Sequence, residues 1–139
     1  SKGLIQSYNQ DLKISYLGHK NAIKNYLTPI ENLELLFSGD DLNVAFEWLN
    51  KFGLFHVQDE LTASLSFGQQ KKLALIRVLA QSSDLLILDE PFVGLDQATA
   101  DQLNSFLAQK ISQNAGLILT SHITPMIDCA VLDLGAKNA

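Results

Sequence analysis

The chain has 139 residues, 47% of them apolar and 18% charged, which fits one globular domain with a core and excludes a disordered chain. Its net charge of −5, with scattered Lys and Arg, argues against the basic stripe that nucleic acid requires. The lone Cys129 excludes an internal disulfide, and its apolar neighbours point to a buried, inert thiol in a reducing compartment.

No apolar run approaches the roughly 20 residues that span a bilayer, and residues 1–11 lack the apolar centre of a signal peptide. The chain does not begin with Met, so a piece of a longer protein is expected. In chain order, residues 12–17 (LKISYL) read as a short strand ended by Gly18. Thr28, Pro29 and Glu31 form a helix start: Thr28 caps, Pro29 suits the first position and Glu31 completes a capping box. That helix is expected to run to Phe37 and to close at Gly39. Asp40 and Asp41 then offer an N-cap for a second helix carrying Leu42, Phe46, Leu49 and Phe52, with Gly53 as its stop.

Residues 54–65 read as a connection to Ser66, and residues 69–81 as a helix with Leu73, Ile76, Leu79 and Ala80 inward. Residues 85–88 are apolar, short and bounded by Asp, as a buried parallel strand would be. Residues 97–113 form a helix facing inward with Leu103, Phe106, Leu107 and Ile111. Residues 117–120 are a further buried strand, and residues 130–134 a last one. This alternation predicts an α/β fold with a parallel sheet, beside which residues 28–80 form a helical subdomain.

Two patterns carry chemistry. The strand LLILDE delivers Asp89 and Glu90 at its carboxyl end, where α/β proteins bind ligands. Nucleotide hydrolases use such acids to support Mg²⁺ and to take a proton from water. Taken alone, two solvated acids at a strand end explain the pattern as well. In LSFGQQ, Ser66 is a good N-cap and Gly68 admits an anion to free N–H groups at a helix start. A plain capped helix is the simpler reading of that segment on its own.

Their order decides between these readings. LSFGQQ (65–70), LLILDEP (85–91), GLD (94–96) and TSH (120–122) follow one another as the motifs of ABC-type ATPases do, and the chain resembles that family. The resemblance implies a partial P-loop NTPase fold, with the helical subdomain at about 28–80 inserted into a catalytic core of about 1–27 and 81–139. It implies ATP as substrate and Mg²⁺ as cofactor. Asp89 corresponds to the acid that supports the metal, Glu90 to the general base and His122 to the histidine that orients the attacking water. Ser66, Gly68 and Gln69 correspond to the segment that reaches ATP held by a second ATP-binding subunit in a head-to-tail homodimer. Asp96 would connect the two sites.

The sequence departs from the family in two places. No G-x-x-x-x-G-K-[ST] phosphate loop occurs in the 139 residues, so the expectation is the last two-thirds of such a subunit, inactive alone. Where the family carries a Gln after the strand LKISYL, this chain has His19. The stretch YLGHKNAIKNYLTPIENL (16–33) is similar to the cytochrome c maturation, haem-exporter type of ATP-binding subunit, in which His also replaces that Gln. That similarity implies a peripheral protein on the cytoplasmic face of the cell membrane, coupled to a permease that contacts the region of residues 19–36. Asn21, Lys24 and Tyr26 are candidates for that contact, with a solvated loop as the equal alternative.

Three other functions are weighed beside this one: transport of another solute, an interaction module without turnover, and a soluble ABC ATPase in DNA repair or translation. The acidic charge disfavours the last. A chain of this composition without its first strands is also expected to associate with itself through exposed sheet edges.

Overall fold

The computed structural model describes residues 11–124, 126–128 and 130. Strand β1 (Ile14–Leu17) enters first, and its alternating burial turns Ser15 and Leu17 inward. Helix α1 (Pro29–Glu34) starts at the expected capping box, with the Thr28 hydroxyl accepting from the Glu31 N–H and the Glu31 carboxylate accepting from the Thr28 N–H. Such a cap contributes about 1 kcal/mol.

The helix stops at Glu34, earlier than the sequence suggests. The chain turns there, and the Phe37 N–H bonds back to the Leu33 carbonyl, which carries the Phe37 ring into the core. Gly39 accordingly opens helix α2 (Gly39–Lys51) instead of closing α1. Its φ of 56° lies in the left-handed region, where glycine is unstrained. Ser38 holds the N-cap position without a side-chain bond, and Asp40 and Asp41 lie in the first turn against the positive helix end.

In α2, Ala45 and Leu49 are buried, with Leu42 and Phe46 packed against the same core. Phe52 caps the helix and is buried too. Residues 54–65 carry two short 3-10 turns, Phe55–Val57 and Thr62–Ser64. Helix α3 (Phe67–Leu79) buries Leu73, Ile76 and Leu79, with Ala80 at its C-cap, as their spacing predicts. Lys71, Ala74, Leu75 and Val78 are buried with them, so only a narrow strip of α3 meets solvent.

Strand β2 (Leu85–Asp89), helix α4 (Gln97–Ser112) and strand β3 (Gly116–Thr120) complete the described elements. The sheet order is β1-β2-β3, all parallel, with Leu17 opposite Leu88 and Leu88 opposite Leu119. One face, with Leu17, Leu86 and Leu88, belongs to the core formed with α3 and α4. The other face holds Ile14, Tyr16, Ile87 and Ile118 and lies open: Tyr16 is 67% exposed and Ile118 58%.

The strands expected to be buried are therefore covered on one side only. An apolar run reports the residues' preference, whereas cover depends on what packs against each face. The expected strand at 130–134 lies outside the described residues apart from Ala130, which belongs to no strand, and Cys129 also lies outside them.

The loop between β1 and α1 is held from two sides. The buried Asn32 side chain accepts from the Lys24 N–H at 2.8 Å and donates to the Lys24 and Thr28 carbonyls and the Thr62 hydroxyl. From α3, Arg77 Nη1 donates to the carbonyls of Asn21 (3.2 Å) and Ala22 (3.0 Å). Ala22 sits at φ 52°, a conformation that a non-glycine residue keeps only when its surroundings impose it.

Candidate functional site

Parallel strands end together, so β2 and β3 bring Asp89, Glu90, Thr120 and His122 to one edge of the sheet. Thr120 organises the acids. Its hydroxyl donates to Asp89 Oδ1 at 2.6 Å, and the Glu90 N–H points at Thr120 Oγ1 and at its carbonyl, at 3.0 and 3.2 Å. Glu90 adopts φ 48°, again left-handed for a residue with a side chain. Strain of this kind costs about 1–3 kcal/mol and collects where function needs a fixed geometry.

His122 meets Glu90 twice. Its Nε2 lies 3.2 Å from Glu90 Oε1, and its backbone N–H is 3.4 Å from Oε2. The Glu90 side chain is 23% exposed and the imidazole 92%, so the pair faces solvent from the histidine side. A carboxylate beside an open imidazole, on a fixed backbone, is an arrangement that can orient and deprotonate a water.

The second cluster surrounds the start of α3. Ser66 and Gln69 close a reciprocal capping box: Ser66 Oγ accepts from the Gln69 N–H at 3.2 Å, and Gln69 Oε1 accepts from the Ser66 N–H at 2.8 Å. Gly68 lies against the carbonyl of Gly94, where an added Cβ would stand 2.8 Å from that oxygen. Asp96 caps α4, its Oδ1 accepting from the Thr99 N–H and hydroxyl, both at 2.8 Å. Its Oδ2 lies 2.6 Å from Lys72 Nζ.

The structure thus sorts the expected site residues into two groups. Asp89, Glu90 and His122 stand together at the strand ends, and Ser66, Gly68, Gln69 and Asp96 stand around α3 and α4. No hydrogen bond among the described residues joins the groups. His19 leaves β1 at the same end of the sheet as the acid pair, because Leu17 pairs with Leu88, yet it is exposed and forms no bond with Asp89, Glu90 or His122.

Sequence reading missed Thr120 as a partner of both acids. Lys71 and Lys72 are adjacent cations on α3 with different surroundings. Lys71 is buried, and burial lowers its pKa, opposed by the charges of Asp89 and Glu90. Lys71 lies four residues before the buried Leu75, so helical periodicity already places it on the inward stripe.

Asp96 has a measurable consequence. The hydrogen bond from Lys72, followed by those from the Thr99 N–H and hydroxyl, holds its carboxyl well below the usual 3.8. A depressed carboxylate pKa stabilises the fold above its unfolded value, and that contribution fades as pH falls through the folded value. Carboxyl carbon shifts followed against pH are expected to show Asp96 still ionised below 3.8, and Lys72→Met is expected to raise its midpoint. An unchanged midpoint in that variant would remove Lys72 as the main cause.

Comparison with known proteins adds the lineage. The ABC transporter family model matches residues 5–93. The cytochrome c biogenesis ATP-binding export protein CcmA of Idiomarina loihiensis is 38% identical over 113 residues, covering 79% of this chain and 51% of its own length. The protein of the same name in Escherichia coli is 38% identical over 116 residues, covering 84% of this chain and 55% of its own. The chain spans about half the length of the curated relatives it matches.

Among solved structures, an ATP-binding subunit of an ABC transporter superposes with a TM-score of 0.72 at 25% identity, over 80% of this chain and 49% of that one. A dimeric ATP-binding cassette bound to ADP and Pi, at 24% identity and a TM-score of 0.67 over 80% of this chain and 53% of its own, shares the fold. Ordered motifs, the parallel sheet that presents them, and a family match over more than half the residues agree: the chain belongs to the ABC transporter family.

Proposed function

We propose that this chain is the signature and hydrolytic part of an ATP-binding subunit that powers an ABC transporter, and that the transport serves haem delivery for cytochrome c maturation. The observation that carries the enzymatic reading is Glu90, fixed at φ 48° by Thr120 and flanked by His122 at 3.2 Å. In this reading Glu90 takes the proton of the attacking water and His122 orients that water toward the terminal phosphate.

Asp89, with one oxygen occupied by Thr120, offers a single carboxylate to a cation. Among the described residues no group of three or more His, Cys, Asp or Glu could form a cage. That donor set fits Mg²⁺, which takes one or two carboxylates and completes its shell with water and substrate phosphates. When bound, Mg²⁺ supplies charge neutralisation on the phosphates.

Ser66, Gly68 and Gln69 form the surface offered to ATP on a second, head-to-tail subunit, with Asp96 linking the sites. Residues 28–80 are the signature subdomain in this reading, and His19 stands near the metal-bound water or in the coupling path. A mainly apolar recess in the helical subdomain, lined by Ile30, Phe46, Leu49, Asn50, Phe55 and Gln58, suits a helix of a membrane-embedded permease. No helix among the described residues is long and apolar enough to cross a membrane, and we place the chain peripherally at the cytoplasmic face. Copies of this chain would associate through the exposed edges of the sheet.

Similarity to CcmA supports the haem-linked reading, with transport of another solute as the alternative. Deleting the gene decides between them: loss of covalently attached haem from c-type cytochromes is expected, and loss of a different transported solute with normal cytochromes would overturn it. The 139 residues contain no phosphate loop, which favours a second reading for the chain in isolation, a docking module without turnover. Titration of the 139-residue chain with ATP is expected to give no binding at millimolar nucleotide. Tight binding by a monomer would show a cradle elsewhere.

A further inference from the structure

One ammonium group ties three elements together. Lys72 Nζ lies 2.6 Å from Asp96 Oδ2 and donates to the Phe52 carbonyl at 3.2 Å. Phe52 caps the end of α2, Lys72 stands in α3 and Asp96 is the N-cap of α4. The Lys72 side chain is only 15% exposed, so its charge is well removed from water and losing either acceptor would be felt.

A second contact joins the same two segments one turn earlier along α3. An added Cβ at Gly68 would stand 2.8 Å from the Gly94 carbonyl oxygen, and one at Gly94 would stand 2.6 Å from the Phe67 ring. The first turn of α3 therefore packs closely against Gly94, two residues before Asp96. Contact at Gly68 limits how close the segments come, and the Lys72 ion pair holds them together one turn later. Two attachments on successive turns of one helix restrain the motion of one segment against the other.

We propose that Lys72 is a positioning residue that makes the start of α3 and the turn at Gly94–Asp96 a single rigid body. Its functional consequence rests on the reading given above: both surfaces that would meet the partner subunit then move together, so closure on one ATP is felt at the other.

The test compares wild type, Lys72→Met, Lys72→Arg and Asp96→Asn in the full-length protein. Amide hydrogen exchange is read at Gln69 and Gln70 in α3 and at Thr99 and Ala100 in α4. Lys72→Met and Asp96→Asn are expected to speed exchange at both sets by about tenfold or more while the β3 ladder stays protected. Lys72→Arg, which keeps the charge and donors, is expected to restore most of the protection. Faster exchange at α4 alone would reduce Lys72 to support of a helix cap and overturn the proposal, as would no change at either set.

The dependence of turnover on ATP gives the second readout. Lys72→Met is expected to lower the Hill coefficient toward one, and Lys72→Arg to retain it. Wild-type cooperativity in Lys72→Met would overturn the coupling role and leave the ATPase reading intact. No ATP turnover in wild type would sink the ATPase reading, and the exchange data would still decide whether the two segments form one body.

Discussion

Replacing Glu90 by Gln is expected to lower ATP turnover in the full-length protein by roughly 100- to 10,000-fold, the range a positioned general base contributes. Glutamine fills the same space and can still accept at the place where Glu90 meets the His122 N–H. It cannot take a proton from water. The backbone bonds from Glu90 N–H to Thr120 belong to the main chain, so the left-handed turn survives the change. ATP-driven dimerisation is therefore expected to persist while hydrolysis stops, as read by phosphate release alongside light scattering. Turnover near the wild-type rate in Glu90→Gln would assign the base elsewhere.

The largest effect on stability is expected from Leu75→Ala. Leu75 is fully buried on α3, within the hydrophobic cluster that includes Leu17, Leu49, Leu86 and Leu103. Removing it leaves a void between α3 and its neighbours, and such truncations cost about 2–5 kcal/mol. A native domain has only about 5–15 kcal/mol in hand. Urea unfolding is expected to show a midpoint far below wild type. Leu35→Ser, at a position 62% exposed, is expected to stay within about 0.5 kcal/mol of wild type. Equal losses in the two variants would mean that α3 is not the centre of the core.

Much of the architecture was legible from local chemistry. Thr28, Pro29 and Glu31 encode a helix start within four residues, and the structure forms that capping box with both bonds. Ser66 and Gln69 repeat the device at α3. The stretch around Gly39 was misread because Asp40 and Asp41 resemble caps. The first helix ends early through a turn that buries Phe37, a tertiary demand with no local signal.

The acid pair, the signature and the histidine were determined by the sequence itself, since their residue types, order and spacing are one-dimensional facts. What the sequence could not supply was who touches whom. Thr120 lies 31 residues from Asp89 and reaches it only because β2 and β3 run parallel in register. Lys72 and Asp96 are 24 apart and meet only because α3 lies on the turn before α4. The same folding gives Glu90 its left-handed backbone and leaves His19 exposed, without a bond to the acids. The physical reason is range: capping, periodicity and turn chemistry act over a few residues. Hydrogen bonds and ion pairs between distant segments exist only once the core has fixed those segments in place.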